Sequence, residues 1–415
     1  MRRNLDASAS RIDADLTALS GITDPERPWT RRAFSPRFDE GRRYLSDRFA
    51  QAGLAVSVDG GGNLLGRRPG SVAGRGTIML GSHSDTVPDG GRFDGVAGVV
   101  VALEVARILT DRGVTLRHDL AVADFLAEEV SIFGVSCIGS RAMAGVLPPD
   151  WLDRQSGGRD LRQALRDVGG DPRSLNGPLA SDLRAFLEMH IEQGPVLERE
   201  GVSLGLVTGI VGITRVAVTV TGRADHAGTT PMDGRADALV CAAGIVRQIE
   251  RQARGMTGRG RHFTATVGEF EIAPNAANVV PAHVRMLVDI RAESPDDMRS
   301  FLQWLDGLQG GQGDRPVAVE TRRVSANDPV QLDAGLVDAL ARSARALDIG
   351  HRRMVSGAGH DAAFMARLCP AAMVFVPCLG GRSHCPEEWA GTDDLTLAAE
   401  VLADTVIAID REGED

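Results

Sequence analysis

Three apolar runs in this chain break off at residues that a buried strand does not tolerate. "GTIMLGSH" stops at His83, "HDLAVADFLAEE" at Glu128 and Glu129, and "LRAFLEMHIEQG" near His190. Runs that are apolar on every residue read as strands covered on both faces, the mark of a parallel sheet. Helical patterns lie among them, including "RFDEGRRYLSDRFAQAG" and "GVAGVVVALEVARIL". "LAVSVDGGGNLLGRRPG" reads as a hairpin-like pair around a glycine turn. The expectation is an α/β fold with helices on both faces of a mostly parallel sheet. Ligands of such sheets bind beyond the carboxyl ends of the strands, where all four of these polar residues fall.

Near residue 213 the pattern changes. "TRVAVTVTGR", "FTATVGEFEI", "HVRMLVDIRA" and "PVAVETRRV" alternate with period two, as half-buried antiparallel strands do, with helical stretches "RADALVCAAGIVRQIERQA" and "SPDDMRSFLQWLDGL" between them. After them "DAGLVDALARSARALD", "GHDAAFMARL" and "AAMVFVPC" return to the α/β style. At 415 residues the chain exceeds one ordinary core. We expect an α/β domain built from 1–212 and 329–415, with a two-layer α+β domain, 213–328, inserted in it.

Composition excludes several classes. Hydrophobic residues make up 43% and charged residues 25%, as in globular proteins. A net charge of −10 lacks the basic face that nucleic acid requires. No apolar run approaches the roughly 18 residues of a membrane helix. "MRRNLDASASRIDADL" begins basic with no apolar stretch behind it, unlike a secretory leader. The five cysteines (Cys137, Cys241, Cys369, Cys378 and Cys385) form no CxxC pair. Reduced thiols and a cytoplasmic setting follow as expectations. Cys137 reads as a small buried hydrophobe, since no base lies in an obvious partner motif. Cys385, on the turn after His384, is expected to point away. The glycines of 90–100 lack the Lys-Ser/Thr of a phosphate loop.

The polar groups at or near strand ends form a constellation: His83, Asp85, Asp94, Glu128, Glu129, His190 and, late in the chain, His384. Histidines with carboxylates suit zinc, manganese or nickel. Adjacent carboxylates after an apolar run repel unless a cation or proton compensates. Asp85, two residues beyond His83, could accept from its other ring nitrogen and fix the tautomer. Asp94 could bridge two ions with its two oxygens. One glutamate could ligate while the other moves the proton of an attacking water; the residues alone do not say which.

"GSHSDTVPDGGRFDG", "MHIEQGP", "ADHAGTTPMDGRADA", "PNAANVVP", "DIRAE", "SGAGHDA" and "GRSHCPEE" occur together and in order. With them the chain resembles the N-carbamoyl-L-amino-acid hydrolase and allantoate amidohydrolase family, the hydantoinase/carbamoylase branch of the di-zinc aminoacylase–carboxypeptidase superfamily. The resemblance runs from about residue 5 to 410. It implies a di-metal aminopeptidase-like catalytic domain and an inserted lid and dimerisation domain. It implies two divalent ions per subunit, zinc or manganese, with cobalt or nickel as further options. His83 and His190 would hold one with bridging Asp94; Glu129 and His384 would hold the other. Glu128 would be the general base and Asp85 the residue that orients a ligand. His226 would steady an oxyanion, and Asn278 and Arg291 would hold a substrate carboxylate, helped by Gln193 and Gly359. The reaction implied is hydrolysis of a carbamoyl or related ureido acid to ammonia, carbon dioxide and the amino acid. Alternatives on the same scaffold are allantoate or ureidoglycolate hydrolysis, N-acyl-amino-acid hydrolysis and dipeptide hydrolysis. The implied partners are a small carboxylate substrate and a second copy of the chain, with neither nucleic acid nor membrane. The family usually has a pattern like EEGxRF where this chain has "EEVSIF". Val130 and Ile132 make that flank more apolar, which bears on the substrate.

Overall fold

The computed structural model describes residues 6–257, 261–312 and 315–412. The basic opening residues, 1–5, lie outside these. The chain divides into two compact units: 1–208 with 332–354 and 360–415, and 209–331 with 355–359.

In the larger unit the strands lie side by side in the order Ala55–Val58, Leu64–Arg68, Asp119–Phe125, Thr77–His83, Leu183–Ile191, Ala371–Val376, Leu204–Ile210. The four central strands run parallel. The outer ones are antiparallel, including the hairpin Ala55–Val58 with Leu64–Arg68. Thr77–His83 and Ala371–Val376 are buried at every residue, which is why they read as unbroken apolar runs. The helix Val96–Asp111 is apolar nearly all round because it lies inside the core, not on its rim. The helix Pro36–Gln51 starts at Ser35, whose side chain accepts from the Phe38 N–H.

Parallel pairing brings the carboxyl ends of the central strands together: His83 pairs with Phe125, and Phe375 with His190. The apolar run before Glu128 does not continue as strand, because Asp119–Phe125 ends three residues earlier. Ala127 then turns through φ 53°, which an extended strand cannot accommodate, so both glutamates lie in a loop.

The smaller unit is an antiparallel sheet in the order Phe263–Ala273, His283–Ala292, Gly212–Thr221, Arg315–Asn327, Gly310–Gln312. Val284, Met286, Val288, Ile290 and Ala292 of its second strand are buried on one face. They share a core with the helices Ala238–Thr257 and Pro295–Asp306. Strand alternation therefore turns Asp289 and Arg291 to the other face.

Candidate metal centre

Asp94 is the hub. It is buried at 4% exposure. Its Oδ1 lies 3.1 Å from His190 Nε2 and 3.7 Å from His83 Nε2, and its Oδ2 lies 3.0 Å from His384 Nε2. His384 Nε2 is also 3.0 Å from Glu129 Oε1. Two groups result, His83–Asp94–His190 and Asp94–Glu129–His384, each with its donor atoms within 4.8 Å of one another.

Both buried rings are held from behind. His190 Nδ1 donates to the Ile191 carbonyl at 2.9 Å, and His83 Nδ1 to the Asp85 carbonyl at 3.0 Å. A carbonyl only accepts, so each Nδ1 carries a proton, and each Nε2 faces Asp94, where it donates to the carboxylate when the ring is charged and offers a lone pair to a cation when the ring is neutral. Gly95, at φ 63°, makes room for this: a Cβ there would lie 2.3 Å from the His83 ring. Nitrogen and carboxylate donors in two clusters, divided between the two oxygens of one aspartate, fit a pair of divalent cations.

Asp85 meets the His83 ring chiefly through its backbone. Its carboxylate is 3.6 Å from His83 Nδ1, beyond hydrogen-bond length, while its backbone carbonyl takes that bond. The carboxylate accepts instead from the backbone N–H groups of Glu128 and Glu129, each at 3.2 Å. The two peptide donors sit side by side and leave the ring to the nearer carbonyl.

Electrostatics separate the acids. Burial pushes Asp94 up, but hydrogen bonds from His190 and His384 outweigh it and hold the carboxyl well below its ordinary range. The bonds to Asp94 and Glu129 raise His384 to about 11. Burial opposes the charge on His83, yet Asp85, Glu128 and Asp94 lift the ring well above its usual range. Burial pushes Glu128 well above the carboxylate range; His83 opposes this, while Glu129, Asp361 and Asp85 add to it. Burial thus favours the neutral form of the Glu128 carboxyl.

Three further side chains support the site, two of them, Glu388 and Ser383, without any sign in the sequence. Glu388 Oε1 accepts from the N–H groups of Phe93 and Asp94 at 2.9 and 3.0 Å, and its Oε2 accepts from the Ser383 hydroxyl at 2.7 Å. It ties the loop of the hub aspartate to the loop of His384. Cys137 was read as a buried hydrophobe; its Sγ lies 3.3 Å from Glu128 Oε1, and burial pushes the thiol well above its ordinary range. "GRSHCPEE" displays two glutamates, and only the fold tells which one turns inward.

The remaining expected residues divide between the units. Gln193, in the larger one, donates through Nε2 to Asp94 Oδ2 and to Ser383 Oγ, both at 3.1 Å. Its amide therefore steadies the hub. His360 packs edge-on against the His190 ring at 4.6 Å. His226, Asn278, Arg291 and Gly359 belong to the smaller unit. Arg291 donates from Nε to Asp289 Oδ1 at 2.8 Å and from Nη1 to the Gly357 carbonyl at 2.9 Å. His226 Nδ1 accepts from the N–H groups of Gly228 and Thr229 at 3.0 and 3.2 Å, which leaves its proton on Nε2, an available donor. The Asn278 carbonyl accepts from the Ala227 N–H. A Cβ on Gly359 would meet Ile213 at an ordinary 3.5 Å, so packing alone does not require glycine there.

Known proteins share this fold and much of the sequence. Residues 79–408 match the model of peptidase family M20/M25/M40. The N-carbamoyl-L-amino-acid amidohydrolase of Paenarthrobacter aurescens is 40% identical over 98% of this chain and 99% of its own length. The allantoate amidohydrolase of Escherichia coli is 34% identical over 94% of this chain and 96% of its own. A crystal structure of a hydantoinase/carbamoylase family amidase from Burkholderia multivorans superposes with a TM-score of 0.87 at 32% identity, covering 99% of both chains. With its donor clusters on the strand ends of this fold, the chain belongs to peptidase family M20/M25/M40, in its hydantoinase/carbamoylase branch.

Proposed function

We propose that the protein is a metal-dependent amidohydrolase of N-carbamoyl-L-amino acids, cutting a linear, non-peptide C–N bond. The observation that carries this is a hub aspartate shared by two donor clusters, with a free glutamate, Glu128, beside them. The 40% identity to an N-carbamoyl-L-amino-acid amidohydrolase favours this substrate class. The relative that acts on allantoate supports a second reading, another ureido acid of similar shape.

His83, His190 and Asp94 would hold one divalent ion; Asp94, Glu129 and His384 would hold the other. Zinc and manganese suit these donors best, with cobalt or nickel also compatible. Such ions supply Lewis acidity, which eases loss of a proton from water and polarises a carbonyl. Glu128 takes that proton as the water oxygen attacks the carbamoyl carbon, then returns it to the departing nitrogen as the C–N bond breaks. The carbamic acid left by that first break then loses carbon dioxide, which breaks the second C–N bond, so that ammonia, carbon dioxide and the amino acid result. Asp85 fixes the backbone beneath both glutamates, and Gln193 steadies Asp94. His226 is the donor for the developing oxyanion. Arg291, with Asn278 and Gly359, takes the substrate carboxylate through its guanidinium. The segments 1–212 and 329–415 serve as the catalytic domain, and 213–328 as a lid and homodimer-forming domain. Five free cysteines support a cytoplasmic setting, and no helix among the described residues is long and apolar enough to cross a membrane.

The test is ammonia release by the manganese-loaded protein, with and without a chelator, over carbamoyl-L-amino acids, allantoate and ureidoglycolate. Ammonia from carbamoyl amino acids that disappears with the chelator is the expected result. Faster release from allantoate would transfer the assignment to the second reading. No ammonia from any ureido acid would overturn both.

A further inference from the structure

We propose that Cys137 is a positioning residue for Glu128, its thiol donating to Oε1 and fixing the direction of the carboxylate. The inference rests on Glu128 being the base.

Glu128 is held by few groups. Its Oε2 lies 3.7 Å from His83 Nε2, too far for a hydrogen bond. Its Oε1 lies 3.3 Å from Cys137 Sγ, and among the described residues this thiol is the hydrogen-bond donor that the carboxylate has. A carboxylate mostly withdrawn from solvent, with a single donor, can turn about its last bonds unless that donor restrains it.

The backbone brings the two residues together. Residues 137–139 run alongside 126–128: the N–H groups of Cys137, Ile138 and Gly139 donate to the carbonyls of Glu128, Ala127 and Leu126 at 2.9, 3.1 and 2.8 Å. The glutamate is therefore gripped by one neighbour at both its carbonyl and its carboxylate.

The conformation of Cys137 is an independent argument. It sits at φ 52°, ψ 40°, in the left-handed region where glycine is the unstrained choice. Cysteine gives the helix that follows no side-chain cap, so capping does not account for a side chain there. Its Sγ lies within reach of the Glu128 carbonyl, at 3.6 Å, and of the Glu128 carboxylate. A strained position that keeps a side chain aimed at the base is accounted for by what that side chain touches.

The metal-loaded full chain tests this with Cys137→Gly, Cys137→Ser and Glu128→Gln. Glycine removes the donor while relieving the backbone. Cys137→Gly is expected to keep the wild-type metal content and KM. Its kcat should fall about tenfold, the low end for a hydrogen bond to a charged group, because S–H is a weak donor. Serine, with a hydroxyl donor, should restore most of that loss. The infrared S–H stretch, isolated as wild type minus Cys137→Ser, should lie below that of an unbonded thiol and move up in Glu128→Gln. Wild-type kcat in Cys137→Gly beside an inactive Glu128→Gln would overturn the positioning role and leave the base standing. Turnover surviving in Glu128→Gln would overturn the base and this inference with it. Should Cys137→Gly lose metal or fold, an S–H band that stays put in Glu128→Gln would overturn the proposal.

Discussion

Asp85 turns its carboxylate onto backbone, and that choice governs what can be expected of its removal. Two neighbouring peptide N–H groups, those of Glu128 and Glu129, need acceptors at a place where water is scarce. One carboxylate satisfies both, so a single side chain aims the proposed base and a proposed ligand together. An amide in its place offers one carbonyl oxygen and turns an NH2 toward the other N–H. Asp85→Asn is thus expected to lower kcat by about 10- to 100-fold, the usual scale for groups that orient metal ligands. Metal analysis should show partial loss, because Glu129 belongs to one cluster and the His83–Asp94–His190 group keeps its donors. Wild-type turnover and metal content in this variant would refute the role. The proposed ligands are legible because each interrupts an apolar pattern or stands among glycines. Cys137 and Glu388 are not, because their importance lies in where a side chain points. Glu388 meets Asp94 across 294 positions of sequence, and nothing along the chain encodes that meeting.

At the scale of elements, the helix Thr392–Arg411 shows how an unfavourable residue becomes an anchor. Asp410 stands in its last turn, where the helix dipole disfavours negative charge. It is nonetheless buried, and its Oδ1 accepts from the backbone N–H groups of Arg117 and His118 and from His118 Nδ1, at 2.8, 2.9 and 2.8 Å. The carboxylate thereby pins the C-terminal helix to the residues that open the Asp119–Phe125 strand. Burial pushes its pKa up, but the bonds from His118 and Arg117 outweigh this and hold it below the ordinary value. A carboxyl whose pKa is lower folded than unfolded adds stability above its unfolded pKa, about 3.9, and loses it as pH falls through the folded value. Asp410→Asn should therefore lower the melting temperature clearly at pH 7 and progressively less below about pH 4. A gap between the two proteins that stays constant from pH 7 to pH 3 would show that the ionised carboxylate is not what holds the helix. The central strands were legible from their unbroken apolarity. The misjudged end of Asp119–Phe125 has a plain cause: Leu126 and Ala127 are apolar and buried like the strand, and only a dihedral angle separates them from it.

At the scale of the whole molecule, the two units have separate hydrophobic cores among the described residues, a main core and a smaller satellite in the larger unit and one core in the smaller unit, and every candidate metal ligand belongs to the larger unit. The main core of the larger unit gathers side chains from both ends of the chain, from Ile12 and Leu16 to Leu402 and Val406. The core of the smaller unit is confined to 216–319. His83, Asp94, Glu129, His190 and His384 all belong to the larger unit. Each ion bound by a folded cluster and not by the unfolded chain stabilises the unit that holds it, by about 2.7 kcal/mol at a free concentration 100 times Kd. A difference of that size moves the melting temperature of a unit this large by about 5–10 °C. Calorimetry of the full chain should accordingly show a metal-dependent transition for the larger unit, falling by that amount with a chelator. The transition of the smaller unit should stay in place. Proteolysis at the chelated midpoint assigns the two, since cleavage is then expected within 1–208, 332–354 and 360–415 and spared within 209–331. Equal shifts of both transitions would mean that the smaller unit draws its stability from the ions as well. No shift in either would mean that the histidine and carboxylate clusters bind no stabilising ion, and the proposed hydrolysis would lose its chemical basis.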